Sequence, residues 1–200
     1  MTFSVAKRRL LTKKLVVSAM LLALGMVLPF ATGQIPEVGS MLLPMHIPVL
    51  LCGVVCGWQW GLGVGFVLPL LRSVTFGMPP PYPAAVAMAF ELAAYGAFCG
   101  FLYAVFMKKT PLGKKEGGRI AALYIALVGA MVGGRIVWGA VQALLLGLGG
   151  TEFPFSAFLA GAVLNALPGI ALQLVLIPAV ITVLRKTKVL PLEKSKQLSE

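Results

Sequence analysis

Away from its basic clusters this 200-residue chain holds few polar side chains, and those few are spaced for helices. Arg135, Trp138 and Gln142 follow an i, i+3, i+7 pattern and so share one helical face. Glu91 and Tyr95, four apart, share a face of another helix. A wall offering a cation, an aromatic ring and an amide suits a small molecule that is partly apolar and carries an anionic or amide group. Arg72, His46 and Asn165 complete the candidate substrate-binding set, with Gln173 the one buried polar residue expected outside it. Two readings of the charges stand side by side: Glu91 and Arg135 neutralise one another between adjacent helices, or a ligand competes for the arginine.

Other chemistries lack their residues. His46 lies near Met41 and Met45, but one imidazole and two thioethers make a poor divalent site, so a packed interfacial histidine and no metal are expected. Cys52 and Cys56 share a helical face and Cys99 lies on another helix, all in apolar surroundings where cysteine packs as a small hydrophobe. The chain contains no Asp, which removes the acidic pairs of metal-dependent lipid transferases, and its sole histidine has no deep serine motif to activate. No GxxxxGK[ST] loop is present, so nucleotide hydrolysis by that route would need another subunit. A non-catalytic protein without cofactor is the expectation.

The elements that must position these residues follow from composition. Apolar residues make up 59% of the chain and charged ones only 12%, with a mean hydropathy of +0.95. A water-soluble globule is excluded. The net charge of +11 and pI near 10.0 do not mean nucleic acid, because too little polar sequence exists to build a solvated basic surface. Fifteen of the 17 basic residues instead fall in three clusters: Lys7, Arg8, Arg9, Lys13 and Lys14; Lys108, Lys109, Lys114, Lys115 and Arg119; Arg185, Lys186, Lys188, Lys194 and Lys196. Each adjoins a long apolar run, as the positive-inside bias requires of cytoplasmic segments.

An even number of crossings must then separate the clusters. The apolar runs 15–31, 43–57, 59–76 and 84–107 lie between the first two, and 120–148 and 156–184 between the last two. The expected fold is an all-α integral membrane protein, a six-transmembrane-helix bundle with both termini cytoplasmic. Its parts are a basic N-terminus over 1–14, a membrane domain over 15–184 and a basic tail over 185–200. The second and third runs are short against the roughly 20 residues a span needs. They meet at Gly57-Trp58-Gln59-Trp60-Gly61, an uncharged turn with tryptophans suited to an interface. In this topology Glu91 lies about 10 Å and Arg135 about 20 Å below their outer helix ends. Each buried charge costs roughly 2.5–3.5 kcal/mol on insertion scales, so each asks for a partner or a function.

Residues 32–45, 77–83 and 149–155 face outward. Pro79-Pro80-Pro81-Tyr82-Pro83 cannot continue a helix and is expected as a stiff extended strap. These loops serve either as covers over a cavity or as ordinary connectors. Glycines recur four apart at Gly53, Gly57, Gly61 and Gly65, at Gly96 and Gly100, and at Gly129 and Gly133, spacings that let helices approach closely in lipid. Ala19 and Ala23 form a similar stripe on the first helix, for internal packing or for another protein's helix.

With six helices, both ends inside, Ala19-x-x-x-Ala23 on the first helix and the run Gly53 to Arg72 (GVVCGWQWGLGVGFVLPLLR), nearly the whole chain resembles the substrate-binding S components of energy-coupling-factor (ECF) vitamin transporters. The resemblance implies a subunit of the plasma membrane, typically bacterial, that binds a vitamin near the outer surface beneath the loop between helices one and two. It implies docking through Ala19 and Ala23 onto a membrane T component coupled to two ATPases, with residues 32–46 as lid. Pocket residues vary within the family, so the vitamin does not transfer. The segment Leu43-Pro44-Met45-His46-Ile47-Pro48 looks most like the pantothenate-type members, and an arginine-bearing wall poor in aromatic rings suits a compact carboxylate better than a large flat ring. Riboflavin and folate are the alternatives. A self-sufficient carrier or channel is the competing class, for which internal repeats would speak, and the two halves show no convincing repeat.

Overall fold

Apolar stretches this long can satisfy their backbone in lipid only as helices or closed barrels, and the computed structural model is helical throughout. It describes residues 2–32, 41–109, 116–150, 154–161 and 165–187, among which no strand occurs. The elements are α1 (Thr2–Val27) with a tight turn Leu28–Thr32, α2 (His46–Cys56), α3 (Trp58–Phe76), a wide turn Pro81–Ala85 leading into α4 (Val86–Lys109), α5 (Glu116–Leu148), the short α6 (Phe155–Leu159) and α7 (Leu167–Lys186).

Four stretches among the described residues are long and apolar enough to cross a membrane: Lys7–Ala31, Pro81–Lys108, Glu116–Leu148 and Leu167–Lys186. The second and third expected runs behave differently. α2 has only 11 residues, about 16 Å at the standard rise, and every one of them is buried. Apolar on all sides, it sits inside the bundle with α1, α3, α4 and α7 around it, as a helix without a polar face must. α3 has 19 residues but carries Gln59, Arg72 and Pro69, which lower its apolar character. The sixth run is not one helix. Its chain forms α6, turns at Asn165–Ala166, and starts afresh in α7 with a proline in the first turn, where a missing N–H costs nothing. The basic segment expected as a separate N-terminus is continuous with α1, a single 26-residue helix.

The basic ends of three helices meet at one end of the bundle. Cys56 Sγ at the close of α2 donates to the Lys14 carbonyl of α1 at 3.7 Å, and the Arg185 guanidinium of α7 lies 5.7 Å from the centre of the Tyr103 ring near the close of α4. The 110–115 part of the middle cluster and the tail from 188 lie outside the described residues. At the opposite end the proline segment departs from a purely extended strap. Pro80 and Tyr82 are extended, but the prolines offer no N–H, and the turn closes through Ala85, which donates to the Pro80 carbonyl at 2.9 Å and runs straight into α4. The Tyr82 hydroxyl donates to the Leu145 carbonyl, fastening this turn to the last turns of α5.

Lipid tails are as apolar as leucine, so helix association here depends on close packing rather than on escape from water. The glycine spacing supplies it. A Cβ on Gly61 would stand 2.7 Å from both the Gly53 Cα and the Gly96 carbonyl oxygen, and one on Gly100 would stand 2.6 Å from the Gly53 oxygen and the Trp58 nitrogen. Backbones of α2, α3 and α4 therefore touch without side chains between them. Gly129 and Gly133 on α5 work otherwise, by receiving the side chains of Leu102 and Phe98 from α4. At Gly57 the φ of +103° turns α2 into α3 with no intervening loop.

Candidate functional site

The close contact of α2 with α4, and of α4 with α5, brings three ionisable groups from three helices to one point. Glu91 is 2% exposed and projects between α2 and α5. Its Oε1 accepts from Arg135 Nη1 at 3.0 Å and is 3.3 Å from His46 Nε2. An ionised carboxylate only accepts, so His46 Nε2 is the donor in this contact. Tyr95, one turn along α4, meets the His46 ring edge to face, with centroids 4.8 Å apart. The tyrosine also lies within electrostatic reach of both Glu91 and Arg135.

The cluster is well packed yet not satisfied. Among the described residues, His46 Nδ1, Tyr95 Oη, and Arg135 Nε and Nη2 are buried with no well-formed hydrogen bond, although the Tyr95 hydroxyl lies close enough to the Arg135 guanidinium to interact with it. In a guanidinium, Nε–H and Nη2–H point the same way and form the fork that grips a carboxylate through both oxygens. Glu91 occupies Nη1 alone, so the fork is left open. Over it, the Trp138 ring lies 5.9 Å from the Arg135 carbon and stacks on Phe158 of α6, centroids 6.1 Å apart. The result is an ion pair roofed by aromatic rings, with one donor edge of the guanidinium that Glu91 does not use.

The expected site residues thus divide. His46, Glu91, Tyr95, Arg135 and Trp138 come together. Gln142, two turns beyond Arg135 on the same face, buries an Oε1 that also has no protein partner. Asn165 is exposed in the turn before α7, its backbone N–H on the Ala160 carbonyl at 3.0 Å, and is not buried with the others. Arg72 is buried elsewhere at the same end: its Nη1 donates to the Met26 carbonyl, and its guanidinium lies 5.0 Å and 5.3 Å from the ring centres of Phe30 and Phe76. That arrangement fastens α1 to α3. Arg72→Ala is expected to destabilise the chain by about 1–3 kcal/mol while leaving ligand affinity within twofold, checked by thermal unfolding and equilibrium binding in detergent.

Sequence reasoning missed the His46–Glu91 contact and the part of Phe158. The two members of the first pair are 45 positions apart, and only the shared depth of their helices hints at a meeting. Of the lid expected over 32–46, residues 33–40 lie outside the described residues. The described part is a tight turn in which Leu43 adopts a φ of +50°, uncommon for a branched side chain, and accepts from the His46 N–H at 3.1 Å. The Met41 carbonyl and Leu42 press on Gly169 of α7, closing one side of the site end.

The family model described as "ECF transporter, substrate-specific component" matches residues 13–181. The chain belongs to this family. ECF substrate-specific components are the membrane-embedded substrate-binding subunits of transporters that work with a transmembrane and ATPase partners, and they are generally non-catalytic. No curated protein and no solved structure matches the chain. The match covers every residue of the buried ion-pair cluster, from His46 on α2 to Arg135 on α5.

Proposed function

We propose that this substrate-specific component captures a small water-soluble vitamin bearing a carboxylate, pantothenate as the first choice, and delivers it inward with a T component and two ATPases. The observation that carries the choice of ligand is the open Nε/Nη2 fork of Arg135 in a buried, roofed site. Tyr95 and Gln142 hydrogen-bond the amide and hydroxyl groups of such a ligand, and Trp138 covers it. Asn165 joins them only if the turn before α7 closes on ligand.

The topology proposed is six helical segments with N- and C-termini cytoplasmic in a bacterial plasma membrane. It is supported by the convergence of the Lys14 and Arg185 ends at one face and of the ion-pair cluster near the other. α2 then enters the membrane without needing lipid contact, because protein surrounds it. Residues 32–46 serve as lid.

Docking is assigned to Ala19 and Ala23. Both are exposed on α1, where a small-residue stripe admits a partner helix to close approach. Ala19→Trp and Ala23→Trp are expected to retain ligand affinity and lose at least tenfold of partner-dependent uptake in liposomes. Uptake by this chain alone, without T component or ATP, would overturn the modular reading in favour of a self-sufficient carrier.

A further inference from the structure

We infer that a carboxylate ligand enters this site together with one proton, taken up by His46. The inference rests on the carboxylate reading of the Arg135 fork and deepens it.

Charge balance carries the case. Without ligand, Glu91 and Arg135 cancel through the 3.0 Å contact, and His46, taken as the neutral imidazole, donates to the same Glu91 oxygen. A ligand carboxylate on the open fork adds a second negative charge to a cluster with only one positive. In a water-poor interior an uncompensated charge is far more costly than in solution, so the site must take up a proton or reject the anion. Glu91 is the poorer acceptor, because a proton on its Oε2 would discharge the carboxylate that Arg135 Nη1 and His46 Nε2 hold through Oε1. His46 is the remaining base. Its Nδ1 is buried and has no hydrogen-bond partner among the described residues, which leaves it able to take the proton if the imidazole is neutral. Protonation there makes an imidazolium that keeps its bond to Glu91 and turns Nδ1 from an orphaned acceptor into a donor towards the ligand. The step balances: the ligand arrives as an anion, one proton comes from solvent, and the cluster with ligand is neutral.

The groups around His46 leave it without a rival. From α4 it meets Glu91 and Tyr95, and from α5 Arg135 through Glu91. On α3, Arg72 is engaged with the Met26 carbonyl. On α1, Lys14 lies beside the other end of α2, and on α7 Arg185 lies at Tyr103, leaving the uncharged Gln173 as the buried polar group of that helix.

The test is titration calorimetry of the purified full chain with pantothenate, biotin and nicotinate in turn, at pH 7.5 in phosphate and in Tris, whose ionisation enthalpies differ widely. For any of these that binds, the inference requires about one proton taken up per ligand and, where uptake is complete, an affinity that falls about tenfold per pH unit as the pH rises. His46→Gln should reduce uptake to near zero and flatten the pH dependence. The wild-type measurement stands even if that variant fails to fold. Binding without proton uptake overturns the inference and leaves the carboxylate reading intact. Binding by none of the three overturns the carboxylate reading, and this inference with it.

Discussion

Arg135→Ala is expected to abolish vitamin binding and to destabilise the folded chain by about 3–5 kcal/mol, the usual cost of breaking a buried ion pair by removing one partner. Both effects come from one atom set. Nη1 neutralises Glu91, which at 2% exposure has no water to fall back on, and in the proposed role the Nε/Nη2 fork would hold the ligand. Arg135→Lys separates the two. A lysine restores a positive charge near Glu91 but has no planar fork, so stability should largely return while affinity stays down by about 10–100-fold. Glu91→Gln with Arg135 intact makes the complementary variant: the pair loses its anion, and a ligand carboxylate becomes the natural partner of Arg135. Unfolding in detergent and equilibrium binding on the three proteins check the pattern.

The second large effect concerns packing. A Cβ on Gly96 would lie 2.8 Å from the Gly61 Cα and closer still to its carbonyl, and these are backbone atoms of the facing helix that no rotamer change can move aside. Gly96→Val is therefore expected to exceed the roughly 1–3 kcal/mol typical of overpacking and to prevent recovery of folded protein. The displacement of α3 from α4 would also disturb α2, which is wedged against both, and with it His46. Gly63→Val on α3 is the control, since nothing lies within 4 Å of a Cβ there. Size-exclusion profiles of the two variants should differ sharply, the first aggregated and the second resembling the parent.

Much of this was legible in the sequence because membrane helices obey few rules. Basic clusters beside apolar runs marked helix ends, and the four-residue glycine spacing marked the backbone contacts of α2, α3 and α4. The i, i+4 and i, i+3 spacings placed Glu91 with Tyr95 and Arg135 with Trp138, and the charge cost in lipid pointed to pairing. What escaped was specific to tertiary context. The length of α2 gave it away only in part, since an 11-residue apolar helix reads like a clipped span until its neighbours are known to surround it. The break before α7 hid behind continuous apolar character, with Pro168 its only mark. Arg72 and Arg135 looked interchangeable as ligand cations, both being arginines outside the three basic clusters. Only the Met26 carbonyl, Phe30 and Phe76 separate the first from the Glu91 cluster, and those contacts come from residues over 40 positions distant on one side and four on the other.

The pairing of Glu91 with Arg135 also joins the two readings that the sequence left open. Mutual neutralisation and ligand binding are compatible, because a guanidinium has two edges and the carboxylate takes one. In the proposed site such a pair would hold the arginine in place for the ligand, and the mutual neutralisation lowers the cost of burying both groups.

Native mass spectrometry of the purified chain, equilibrated with an equimolar panel of water-soluble vitamins with and without carboxylates, tests the central claim most directly. A single carboxylate-bearing vitamin bound at one per chain, and lost in Arg135→Lys, is the result predicted. Selection of a vitamin that lacks a carboxylate, or an adduct indifferent to Arg135, would contradict it.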